Sequence, residues 1–174
     1  QALAVVKPWA EGNSPLPEAL VLQATVFQSL HEFDNALASL DRALGMDPKH
    51  VQAWLAKATI HMVRSEFDAA RKACLVLTRL GAGFPATVAT AQLATLTGNA
   101  RQGYQLLQRL NQEANVGTPL PVDQRAWVQT LLAETAARLG DIPAARAHFD
   151  EALHTAPEDP YLLGAYADFL LDQG

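Results

Sequence analysis

Apolar residues recur along this chain in steps of three and four, with small side chains at fixed places among the large ones. Ala36, Leu40, Ala43 and Pro48 stand four, three and five residues apart, and Ala145, Phe149, Ala152 and Pro157 repeat those spacings unchanged. Upstream of each set, Leu20, Ala24 and Phe27, and later Gln129, Ala133 and Ala136, keep a four-then-three step. Steps of three and four gather side chains on one face of a helix. The pattern therefore predicts an all-α chain of helix pairs, each pair closed by a turn that carries proline or glycine.

The first pair starts at Pro17. Its first helix is expected over roughly 15–30, with Ser14 as N-cap and Pro15 in the first turn. Its second is expected over 33–45 and closed by Gly45 in a left-handed cap, ahead of the Asp47-Pro48-Lys49 turn. The next unit opens at Val51, 34 residues on, with Trp54 at the large position and Ala58 at the small one. Phe67 and Ala70 match Phe33 and Ala36; Cys74 and Leu77 then continue the second helix, and Gly81-Ala82-Gly83 reads as a linker. A third unit, more degenerate, opens near Phe84. Ala91 and Ala94 keep its first helix, Gly98-Asn99 turns the chain, and Gly103, Leu107 and Leu110 form the second helix. An irregular stretch, Asn115 to Asp123 with Gly117, Pro119 and Pro121, follows. Such an extension costs only a fraction of a kcal/mol in closure entropy, so stacking can continue past it. The fourth unit turns at Gly140-Asp141. The fifth offers Leu163, Ala167 and Leu170 on one helix and reaches Gly174 where the turn should begin.

The unit resembles the roughly 34-residue tetratricopeptide repeat (TPR). The resemblance implies an α-solenoid of antiparallel helix pairs, a right-handed superhelix with about four full repeats plus a final single helix. The expected domain is 1–174, with repeats at 17–50, 51–83, 84–117 and 126–159, a partial one at 160–174, and 1–14 as the remnant of a preceding helix ended by Pro8. Close packing needs one small side chain at each helix crossing. Ala24, Ala58, Ala91, Ala133 and Ala167 fill that role on first helices, and Ala36, Ala70, Gly103 and Ala145 on second helices. Larger residues there should overpack, at about 1–3 kcal/mol each.

In the family the first helices line a groove that binds protein segments. Carried onto this chain, the groove positions fall on Glu18, Val21, Thr25 and Gln28; on Gln52, Leu55, Thr59 and Met62; and on Val88, Gln92 and Thr95. Toward the C-terminus they fall on Trp127, Thr130, Glu134 and Arg138, then on Tyr161, Asp168 and Asp172. Trp127 and Tyr161 are the expected hot spots. One family mode clamps a terminal carboxylate with Lys and Asn. Val21, Thr25, Leu55 and Thr59 occupy those places, so the cationic fork a carboxylate needs is missing. The implied function is a non-enzymatic scaffold or adaptor that binds a protein or peptide partner in a mostly neutral groove, acidic toward its C-terminal end. Two alternatives stand beside it. One is self-association through exposed repeat ends, for which Leu163 and Leu170 are the candidate contacts. The other is an accessory role in a larger protein whose catalytic part lies elsewhere.

Charge and chemistry sharpen this picture by exclusion. Net charge is −5, and the 13 basic residues are scattered rather than gathered on one face, so no nucleic-acid partner is expected. No apolar run approaches the ~20 residues that cross a bilayer, so no membrane insertion is expected. One cysteine, Cys74, allows no intrachain disulfide and reads as a buried hydrophobe. His31, His50, His61, His148 and His154 lack metal-ligand spacing. Glu151 with His154, and Asp168 with Asp172, read as solvated surface groups. No nucleophile motif or phosphate loop is present. Catalytic residues, metal and cofactor are all expected to be none, and the compartment is left open.

Overall fold

The computed structural model describes residues 4, 10, 16–116 and 119–174. Among them every regular element is a helix: α1 (Pro17–Ser29), α2 (Phe33–Met46), α3 (Val51–Val63), α4 (Phe67–Arg79), α5 (Gly83–Leu96), α6 (Ala100–Val116), α7 (Val122–Arg138), α8 (Ile142–Thr155) and α9 (Pro160–Asp172). Apart from Ala4, which is helical and exposed, the expectations for Gln1–Trp9, Ser14, Pro15 and Gly117 lie outside the described residues. None of these helices is long and apolar enough to cross a membrane. The chain forms two compact units, Gln1–Ala89 and Thr90–Gly174.

Local chemistry sets the helix starts. Pro17, Pro143 and Pro160 sit in first turns, where a missing N–H costs nothing. Asp141 and Asp159 accept hydrogen bonds from the backbone N–H groups of Ala144 and Leu162 at 3.1 and 2.9 Å. These are N-caps of the usual kind. His50 caps α3 less commonly, accepting from Ala53 N–H through Nδ1 at 3.3 Å.

The helix ends differ from expectation. Gly45 lies inside α2, which runs on to Met46, so it caps nothing. The left-handed residue instead sits between the two helices of each pair, at His31, Ser65, Gly98 and Gly140, with φ of 60°, 59°, 88° and 77°, and once between pairs, at Gly81 with φ of 68°. Around it the backbone repeats one bond: Glu32 N–H to Phe27 O, Glu66 to His61, Asn99 to Ala94 and Asp141 to Ala136, all at 2.8–3.0 Å. This is the Schellman closure, which satisfies a carbonyl the helix would leave unpaired. Only glycine takes that conformation without a steric penalty of about 1–2 kcal/mol. Ser65→Gly and His31→Gly should therefore each stabilise the protein by about 0.5–1 kcal/mol, partly offset by glycine's greater freedom in the unfolded chain. Urea unfolding checks this, and a loss of stability in both would refute it.

In Gln1–Ala89, α1 packs on α2, α3 on α4, α2 on α3, and α1 on α3. Its core holds Ala24, Ala36, Leu40, Leu44, Ala53 and Ile60, with Phe27, Phe33 and Trp54 against it. Ala10 is buried with Leu20 and Ala43, and its carbonyl accepts from Arg42 at 2.9 Å. In Thr90–Gly174, α7 packs on α8, α6 on α7, and α9 on both α7 and α8. Phe149 centres that core among Ala133, Ala136, Ala145, Ala152, Leu162 and Phe169.

The small positions fall where their spacing places them: Ala24, Ala58, Ala91, Ala133, Ala36, Ala70, Gly103 and Ala145 are all buried. Ala167, by contrast, is exposed. The expected irregular stretch at Asn115–Asp123 is narrower than its prolines and glycine suggested. Helix α6 continues to Val116, and α7 begins at Val122.

Candidate functional site

The groove positions of α1 and α3 are plain surface. Thr25 is exposed, and Val21, Gln28, Leu55 and Thr59 are half-buried. Thr25 and Thr59 donate their hydroxyls to Val21 O and Leu55 O, each at 3.1 Å. Met62 is buried, so it belongs to the core and offers nothing to a ligand. Val88 and Thr130 are likewise buried, and Thr130 donates to Ala126 O at 2.9 Å. Their helical positions point toward a neighbouring helix rather than to solvent. Trp127 is half-buried and lies two turns before Glu134 on α7.

Within Thr90–Gly174, the predicted groove residues Gln92, Thr95, Glu134, Arg138 and Tyr161 meet around one pocket of about 170 Å³. Helix α5 contributes Gln92, Thr95 and Leu96. Helix α7 contributes Leu131, Glu134, Thr135 and Arg138, and α9 contributes Tyr161. Residues three or four apart share a helix face, which is why α7 presents Leu131, Glu134, Thr135 and Arg138 together. Thr95 and Thr135 face one another at 3.4 Å. Both also donate to carbonyls of their own helices, Ala91 O at 2.9 Å and Leu131 O at 2.7 Å.

Tyr161 donates its hydroxyl to Glu134 Oε2 at 2.7 Å. Burial pushes the Glu134 carboxyl above its usual range; the Tyr161 hydrogen bond and Arg138 oppose this, and Asp168 adds to it. Burial, and then the charge of Glu134, hold the Tyr161 phenol protonated far above its usual range. Gln92 Oε1 is buried and accepts no hydrogen bond. An unsatisfied buried acceptor costs about 1–3 kcal/mol, which a donor entering the pocket would recover. Asp168 and Asp172 are exposed on α9. They line an adjoining cavity of about 400 Å³ that shares Glu134 and Arg138 with the pocket.

A polar chain that spacing did not reveal runs behind this surface. His148 Nδ1 lies 2.8 Å from Gln129 Oε1, and its Nε2 lies 2.9 Å from the Tyr104 hydroxyl. Gln129 Nε2 donates to Asn111 Oδ1 at 3.4 Å. An amide oxygen only accepts, so Nδ1 carries the hydrogen and Nε2 accepts from Tyr104. The sequence held one signal: Gln129 is polar at a place where the other repeats carry Leu20 or Trp54.

Burial holds the His148 pKa below the ordinary imidazole range, while Asp141 opposes. A depressed folded value means the unfolded chain binds the proton more readily. The stabilisation is thus complete above about 6.5 and is lost as pH falls toward the folded value. Wild type should lose stability between pH 7 and 5 by more than His148→Gln does. Equal slopes in urea titrations at several pH values would remove His148 from that account. Cys74 is buried, and burial raises its thiol pKa, as suits a packing residue. Among the described residues no cluster of His, Cys, Asp and Glu could hold a metal ion.

Family models for the tetratricopeptide repeat match residues 21–83 and 126–169. The chain belongs to the tetratricopeptide repeat family. A crystal structure of a thermophilic TPR protein from Thermus thermophilus is similar over 97% of this chain and 89% of that one, with 18% identity and a TM-score of 0.78. MamA from Desulfovibrio magneticus RS-1 is similar over 91% and 85% of the two chains, at 18% identity and a TM-score of 0.57. YrrB, described as a TPR protein with an unusual peptide-binding site, is similar over 93% and 97%, at 18% identity and a TM-score of 0.52. At that identity the likeness establishes the TPR solenoid fold alone. No curated protein sequence matches the chain.

Proposed function

We propose that this TPR chain is a non-enzymatic interaction module that holds a segment of a protein partner against the first helices of its pairs. The observation that carries this reading is the α5–α7–α9 pocket. Side chains from three first helices converge there, and one buried acceptor waits for a donor. Repeat arrays of this kind are surfaces first, because each pair must stack on its neighbours to hide its apolar side. The peptide-binding site named for YrrB supports the same direction. An affinity near micromolar, about −8 kcal/mol, suits a short segment held by a few anchors.

The test pairs a bound segment with two variants. Tyr161→Ala and Glu134→Ala should each weaken capture of that segment about tenfold, or 1.4 kcal/mol, by isothermal titration. Unchanged affinity in both would defeat the reading. A second reading, self-association, rests on Leu163, Leu170 and Leu171, which are 46%, 40% and 80% exposed on α9. Light scattering that shows one mass at every concentration would dispose of it.

A further inference from the structure

We infer that the α5–α7–α9 pocket takes a cationic side chain, lysine or arginine, from the segment bound there. This rests on the interaction-module reading and specifies its partner chemistry.

Size is the first argument. At about 170 Å³ the pocket has room for one side chain, and the adjoining cavity of about 400 Å³ that shares Glu134 and Arg138 leaves space for the rest of a segment. The second argument is its polarity. Gln92 Oε1 is a buried acceptor with no donor. The hydroxyl hydrogens of Thr95 and Thr135 are committed to helix carbonyls, which leaves their oxygens able only to accept. Glu134 accepts from Tyr161 through Oε2 only. An ammonium or guanidinium group offers several donors and no acceptor, which is the complement of that set. Leu96 and Leu131 supply apolar wall for the methylene stem.

Charge is the third argument. Glu134, Asp168 and Asp172 line the pocket and its adjoining cavity on the α9 side, against Arg138; on the α5–α6 side a cavity of about 730 Å³ that shares Thr95 and Arg138 adds Arg101. Among the described residues no lysine or arginine forms an ion pair with any of these three acids. Residues 90–174 carry ten Asp and Glu against five Lys and Arg, whereas residues 1–89 carry eight of each. The whole net charge of −5 therefore belongs to the unit that holds the pocket. A field of that sign attracts basic segments and repels acidic ones.

The experiment selects a phage-displayed random-peptide library against the full 174-residue chain, then titrates the recovered sequences as synthetic peptides. Lysine or arginine should recur at one position, and its replacement by norleucine should weaken binding about tenfold. Gln92→Leu and Glu134→Gln should weaken the basic peptide by a similar factor. Arg138→Gln should tighten it, since a competing cation is gone. The norleucine peptide should bind Glu134→Gln and wild type alike, which shows the variant intact. Acidic or uncharged winners, or a basic residue indifferent to Glu134→Gln and Arg138→Gln, would overturn this assignment and leave the interaction module standing. A library that yields no binder would overturn both.

Discussion

Phe149→Ala should unfold Thr90–Gly174 more easily by about 3–5 kcal/mol, the usual cost of removing a large aromatic from a core. The ring is fully buried, with the Tyr166 and Phe169 rings 5.2 and 5.1 Å away. Its buried neighbours on α7 and α8 are alanines: Ala133, Ala136, Ala145 and Ala152. Alanines have no rotamers with which to fill a vacancy, so the cavity should persist and the loss should fall at the high end of the range. Amide exchange in α7–α9, read in increasing urea, measures it. A change below about 1 kcal/mol would mean that Phe149 is not the keystone of this unit. Phe149→Leu should lose less, because it leaves a smaller hole.

Gly103→Ala and Gly45→Ala should move stability in opposite directions. Both glycines are helical, and alanine is favoured in a helix interior by about 0.8–1.0 kcal/mol. At Gly45 nothing lies within 4 Å of an added Cβ, so a net gain is expected, smaller than the interior figure because Gly45 is the next-to-last residue of α2. At Gly103 the added Cβ would stand 2.4 Å from Thr95 Oγ1 and 2.6 Å from Ala91 O. The threonine can turn aside, but the backbone carbonyl cannot. Helices α5 and α6 must then separate, at a cost of about 1–3 kcal/mol, and the clash outweighs the gain. Thermal unfolding of the pair decides the matter. A stabilised Gly103→Ala would show that the α5–α6 crossing is looser than its geometry implies. Because Thr95 also lines the pocket, Gly103→Ala should weaken any segment bound there.

Spacing revealed the crossings, because a close approach admits only Ala or Gly and the repeat then writes that residue at regular intervals. It misled at Gly45. A glycine near a helix end suggests a cap, yet in the first two pairs the left-handed residues are His31 and Ser65, which composition does not flag. Family positions named Gln92, Glu134, Arg138 and Tyr161, which line one pocket, but they could not distinguish Met62, Val88 and Thr130, which are buried. Exposure on a first helix depends on how far it is rotated against its neighbour, and a single repeat does not encode that angle. The Tyr104–His148–Gln129–Asn111 chain was illegible for a related reason. Its members stand up to 44 residues apart, on three helices that meet only after folding.

The Schellman closures give the chain two kinds of joint. Within a pair, the turn is fixed by the same three-residue geometry each time, at His31, Ser65, Gly98 and Gly140. Between pairs the connection varies: α4 to α5 repeats the closure at Gly81, with Ala82 N–H to Leu77 O at 3.1 Å, whereas Asp47–His50 forms a different turn and the passage between Val116 and Val122 is longer. Insertions and grafted epitopes should therefore be absorbed at the seams that lack this closure and rejected wherever it stands, at Gly81 as well as within the pairs. Variation in length is thus confined to the seams between hairpins.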